Sequence, residues 1–177
     1  MEDQRNNGAG NRAHVVDAAH ERGIAIASHD DATGEHVAQA AGDGIVIAEF
    51  PTTVEAASLS KSNGMSVLMG APNLVRGSSH SGNVSARELA DDGLLDILSS
   101  DYVPSSLLFG AFTLARRNES ISLPEAIATV TATPAARVGL DDRGVIAIGK
   151  RADLVRVRDT GDVPLVRCVW HAGDTVA

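Results

Sequence analysis

The chain has a single cysteine, Cys168, among its 177 residues, two lysines against thirteen arginines, and only five aromatic side chains. One cysteine excludes an internal disulfide and a metal cluster built on thiolates. A net charge of -8 excludes the basic footprint that a nucleic-acid or anionic-membrane surface requires. No apolar run approaches the roughly 18 residues of a membrane span. The polar opening MEDQRNNGAGNR also lacks the charged-then-apolar layout of a secretion signal, so the expected compartment is the cytoplasm. Asp supplies 15 of the 23 acids, a balance that fits a salt-rich interior. What is present, 44% hydrophobic and 21% charged, composes a globular chain long enough to bury a core.

Residues 1–10, rich in Asn and Gly, read as a flexible lead-in. From Asn11, a candidate cap, the apolar spacing suits a helix that closes at Gly23. Four short aliphatic runs follow: IAIAS at 24–28, IVIA at 45–48, MSVLM at 65–69 and LLDILSS at 94–100. Each suits a strand covered on both faces. ATGEHVAQAAG, TTVEAASLSKSNG and SARELADDG between them, and PSSLLFGAFTLARRN after the fourth, are helical patterns. The spacing therefore predicts an α/β fold of four successive β/α units with parallel strands over residues 11–140. Residues 70–85 read as an inserted loop, and LPEAIATVTATPAARVGL as two short helices broken at Pro134. Residues 141–177 alternate and carry turn glycines, which predicts three or four short strands of a separate β-structure.

In parallel α/β folds the site lies at the carboxyl ends of the strands. His29 ends the first run, Glu49 the second and Asp101 the fourth, while the loop after the third brings His80. Imidazole and carboxylate ligate Zn, Mn or Fe dications, and a carboxylate beside a metal-bound water can take its proton. Each residue also has a plain reading. A strand-end His is commonly a hydrogen-bonded structural residue, Glu49 can pair with an Arg, and Asn73 and Asn83 can serve turns. Asp30 and Asp31 are expected to cap the following helix, and His20 and His36 to lie on the outer surface. Agreement in phase among four units favours chemistry over the sum of those readings.

Several stretches together resemble the amidohydrolase superfamily of metal-dependent (β/α)8-barrel hydrolases. SHDD is similar to the end of its fifth strand, SDY to the end of its eighth, and GVIAIGKRADLVRV to the segment that returns to a small β-sandwich. ASHDDAT, EFPTTVEAA, MGAPNLVRGSSHSGNVSA and LLDILSSDYVPSSLL resemble in particular the phosphonate-metabolism branch, diphosphatases of a ribose triphosphate. The resemblance implies a divalent metal, Zn or Mn, with His29 as a ligand and Asp101 as both ligand and proton acceptor. It implies a phosphorylated sugar as substrate, with pyrophosphate as the leaving group and Arg76, His80, Asn73 and Asn83 as candidate contacts. Glu49 stands where the superfamily has a histidine, and is a candidate ligand. The His-x-His pair of the superfamily's first strand is absent from the sequence. The implied fold is thus the C-terminal half of a (β/α)8 TIM-type barrel, units five to eight, followed by strands of a small sandwich over 141–177. Three states are open to such a half: an inert fragment, a chain completed by a second polypeptide carrying the front half, or a homodimer. Among enzymes, the alternative is a generic amidohydrolase acting on cyclic amides or acetamido sugars.

Overall fold

The computed structural model describes residues 2–77 and 82–177. Its first helix, α1 (Glu2–Glu21), begins well before Asn11, so the segment read as a flexible lead-in has helical backbone. Asn11 therefore lies inside the helix instead of capping it; the end near Gly23 is as expected, with its N–H on His20 O at 3.0 Å.

Four strands follow, β1 (Ala27–His29), β2 (Ile47–Glu49), β3 (Ser66–Gly70) and β4 (Ile97–Ser99), all parallel and adjacent in chain order. The helices α2 (Gly34–Gly42), α3 (Val54–Ser62), α4 (Ala71–Arg76) and α5 (Ala86–Asp91) lie between them. The residues read as an insert at 70–85 thus open with a helix. Pro72 sits in its first turn, where a missing N–H costs nothing, and left-handed Gly77 ends it at φ 83°. The chain continues through α6 (Ser106–Arg117), α7 (Leu123–Ala128) and α8 (Ala132–Arg137). The break between the last two falls at 129–131, and Pro134 lies in the first turn of α8, where proline is tolerated.

Side-chain alternation divides the sheet into two faces. Val67, Met69 and Leu98 point to the helices and join Leu74, Leu89 and Leu114 in one core cluster, while Ala48 joins Val37, Ala40 and Met65 in a second. The opposite face carries His29, Glu49, Leu68 and Ile97 in one register row, with Gly70 and Ser99 as the next paired row. Tight packing between α6 and α4 depends on Gly110, where an added Cβ would sit 2.8 Å from Ala71 Cβ.

Hydroxyl caps fix where the helices start. Thr33, Thr53 and Ser85 accept from the backbone N–H three residues on and open α2, α3 and α5. Thr53 also donates to Ala32 O at 3.0 Å, tying the loop after β2 to the loop after β1. Thr53→Ala is expected to cost about 1 kcal/mol, as loss of a cap does, and thermal unfolding checks this; Thr53→Ser, which keeps the oxygen, should recover most of the loss. At α7 a reciprocal capping box joins Ser122 and Glu125 and holds the Glu125 carboxyl below its ordinary value. Its contribution is present at neutral pH and is lost as pH falls through that lowered value.

The tail forms three antiparallel strands, β5 (Leu154–Asp159), β6 (Pro164–His171) and β7 (Asp174–Thr175), within the three or four expected. Arg116 at the end of α6 joins the two layers: it donates to Asp162 O at 2.9 Å, pairs with Asp159, and its guanidinium lies over the Phe112 ring. A groove of about 1330 Å³, lined by Val103, Leu107, Pro134, Val155 and Val166 among others, runs between α6, α8 and this small sheet. Ile146, Val155, Leu165 and Val166 are all exposed. Among the described residues no helix is long and apolar enough to cross a membrane.

Candidate active site

Three of the four parallel strands leave the sheet through a non-glycine residue in the left-handed region: Asp30 at φ 60°, Phe50 at 52° and Asp101 at 48°. This backbone is uncommon outside glycine and collects where surrounding structure over-determines it, often at functional sites. The over-determination is visible here. Asp30 N–H donates to Glu49 O at 3.0 Å and Phe50 N–H to Leu68 O at 2.9 Å, so the first two of these residues are pinned to the neighbouring strand. Behind them Thr52 N–H bonds Asp31 O, and Val84 N–H bonds Thr52 O, stitching successive rim loops together.

These turns decide where the candidate residues point. His29 and Glu49 are register partners and share a face of the sheet. At Gly70, on that same face, an added Cβ would lie 3.0 Å from Asp101 Oδ2 and 3.4 Å from the Phe50 ring. The Asp101 carboxylate therefore folds back over β3 on the side to which His29 and Glu49 point. Phe50 stands between them, its ring meeting the His29 ring edge-on with centroids 5.3 Å apart. Gly70→Ala is expected to displace the Asp101 carboxylate while leaving the fold intact, because the methyl meets a side chain that can swing outward. A crystal structure or the Asp101 side-chain NMR signal of the variant checks it.

His29 presents Nδ1 to Asp30 Oδ2 at 3.0 Å, with both side chains more than half exposed. Asp30 and Asp31 do not cap α2, contrary to expectation; Thr33 does, because it stands at the residue whose extended backbone directs a side-chain oxygen at the first turn. Asp31 is instead buried and accepts from Ser28 Oγ at 2.5 Å. His36 and His20 lie on the exposed outer surface, as expected, with His36 Nδ1 accepting from Ala32 N–H.

The loop residues divide. Asn73 Oδ1 accepts from Ala86 N–H at 3.0 Å and so ties α4 to the start of α5, the structural role that competes with substrate contact. Arg76 donates to the Tyr102 hydroxyl at 2.6 Å, which links it to the residue following Asp101. Asn83 is exposed, and His80 lies outside the described residues. Phe50, Tyr102 and Ser99 belong to this rim but carry no metal-site signature, and only their positions next to strand ends could have marked them.

Among the described residues no three His, Cys, Asp or Glu side chains converge closely enough to hold a metal ion. His29 and Asp101, with Glu49 beside His29, are suitable donor types on one face. They match in number the three protein ligands that a catalytic divalent site commonly uses, but among the described residues they do not come together around one point. The donor set suits part of a divalent centre, not a closed one.

A four-stranded parallel sheet with helices against one face, strained turns along one rim and acid and imidazole groups at that rim define the α/β scaffold of this chain. The chain belongs to the amidohydrolase family, whose model matches residues 3–177. It is 54% identical over 167 residues to the alpha-D-ribose 1-methylphosphonate 5-triphosphate diphosphatase of Escherichia coli K12; the match takes in 94% of this chain and 44% of that enzyme. Two solved structures share its fold, each over 92% of this chain. One is an uncharacterised protein (TM-score 0.69, 23% identity, 48% of its length) and the other an amidohydrolase (TM-score 0.68, 20% identity, 46% of its length). The chain thus spans less than half the length of the relatives it matches.

Proposed function

We propose that this chain supplies the back half of the barrel of a metal-dependent diphosphatase. Its substrate would be alpha-D-ribose 1-methylphosphonate 5-triphosphate, cleaved with release of pyrophosphate in phosphonate breakdown in the cytoplasm. The single observation that carries the reading is the 54% identity to the E. coli enzyme along nearly the whole chain. The rim geometry supports the half-barrel form. In the register, His29 and Glu49 are level with Ile97. A (β/α)8 barrel of shear 8 climbs about one residue per strand, so three strands on from His29 the level position lies about three residues past Ile97, beside Asp101. The strand ends step upward once in that sense: β1 and β2 end level at His29 and Glu49, and β3 and β4 end two residues further on, at Gly70 and Ser99.

A divalent ion, Zn or Mn, when bound would lower the pKa of a water and offset phosphoryl charge. His29 and Asp101, with Glu49 as a third candidate, would hold it from this side. Asp101 takes the proton from the attacking water. Arg76, and His80 and Asn83 from the same loop, meet the charge on the triphosphate; a guanidinium suits phosphate better than it suits a neutral amide. That preference ranks the phosphonate reading above an amidohydrolase of cyclic amides or acetamido sugars.

The missing donors require a second polypeptide equivalent to the part of the relatives that this chain does not match. The exposed apolar face of β5 and β6 with Ile146, and the single strand partners of β1 and β4, suit such a chain, which would cover the one and pair with the others. The test combines this chain with a recombinant polypeptide spanning the unmatched portion of the E. coli relative, and measures pyrophosphate release from the triphosphate with added Mn or Zn. Release well above that of either part alone is expected. Background turnover from the mixture would leave an inert fragment as the correct reading.

A further inference from the structure

Buried hydroxyls in folded proteins nearly always have a hydrogen-bond partner, because an unpaired one destabilises the fold relative to an apolar replacement. Ser99 breaks that rule: its Oγ is sealed from solvent and has no hydrogen-bond partner among the described residues. Its position explains why. Ser99 closes β4 in register with Gly70, so its side chain points to the face carrying His29 and Glu49. The Asp101 carboxylate lies against Gly70, the register partner of Ser99, with Oδ2 3.0 Å from where a Gly70 Cβ would be. Ser100, on the other face, leaves its carbonyl to Ser106 Oγ.

We propose that Ser99 is a positioning residue for Asp101. Its hydroxyl donates to one oxygen of the Asp101 carboxylate when that exposed side chain rotates inward from Gly70, leaving the other oxygen to face the mouth. Gly70 supplies the room and Ser99 the donor. The catalytic consequence rests on Asp101 being the proton acceptor proposed above; the hydrogen bond itself does not.

The experiment labels the aspartate carboxyl carbons with 13C and follows the Asp101 signal in this chain. Ser99→Ala is expected to move that signal, while Ser99→Thr, which keeps the hydroxyl, and Ser100→Ala on the opposite face leave it in place. Thermal unfolding of Ser99→Ala should show a midpoint equal to or above the parent, the mark of a hydroxyl that does not serve the fold. In the recombined barrel Ser99→Ala should lower kcat on the order of 10- to 100-fold with KM unchanged, the usual loss for a supporting partner of a site residue, and Ser99→Thr should restore it. An unmoved Asp101 signal overturns the proposal, as does a midpoint several degrees lower, which would make Ser99 a structural residue. If the signal moves but the parent mixture releases no pyrophosphate, the positioning role stands and the diphosphatase reading falls.

Discussion

Asp101→Asn in the recombined barrel is expected to cut pyrophosphate release on the order of 10²- to 10⁴-fold, the range that loss of a general base covers. Asn matches Asp in size and keeps an acceptor oxygen, so the left-handed turn at φ 48° and the packing over Gly70 should survive. What Asn lacks is the capacity to take a proton. If Asp101 acts as base, kcat falls and substrate binding changes little. A KM effect with kcat intact would make Asp101 a binding residue instead. Circular dichroism of the variant should match the parent, which separates loss of chemistry from loss of fold.

Leu89→Ala is expected to destabilise the chain by about 2–5 kcal/mol, the cost of emptying a leucine-sized space in a packed core. Leu89 is fully buried in the cluster that binds the helices to Val67, Met69 and Leu98. Its carbonyl accepts from Leu94 N–H at 2.7 Å as the chain turns into β4, so the cavity opens at the support of the strand that leads to Asp101. For a chain of this size the midpoint of thermal unfolding should fall by about 2–4 °C for each kcal/mol. Ile148→Ala, at a side chain wholly exposed in this chain, is the control and should move the midpoint hardly at all. Equal effects at the two positions would contradict the assignment of the core.

The parallel strands and the rim were legible in the sequence because both depend on patterns that repeat. Short aliphatic runs bounded by glycine stops are what a parallel sheet needs, and the four runs became β1 to β4 in chain order. The aliphatic pattern begins ahead of the pairing. Ile24 and Ile26 lie ahead of β1, and Ile24 is exposed, since apolar character alone does not say where pairing begins. GVIAIG alternates like a strand, yet Ile146 and Ile148 pair with nothing in the small sheet, because alternation specifies a face and not a neighbour. The sequence does not mark helix α4, because GAPN contains residues shared by turns and helix starts.

The candidate site was legible only in phase. Strand-end positions put His29, Glu49 and Asp101 on one rim, and the register and the Gly70 contact place them on one face. The strained turn at Phe50 and its ring between His29 and Asp101 were not legible, since no local residue preference brings an aromatic side chain into left-handed backbone. Nor was the bond from Ala86 N–H to Asn73 Oδ1, which depends on how α4 meets α5. Residues whose roles follow from the repeat could be read from one sequence; residues whose roles follow from tertiary contact could not.

The most direct measurement is calorimetric titration of Mn into this chain, into the unmatched portion of the E. coli relative, and into their mixture, each with and without His29→Ala. Shared ligation across the rim predicts that the mixture binds at least tenfold more tightly than either part, and that His29→Ala removes the gain. A mixture no better than its parts, or one indifferent to His29, would contradict it.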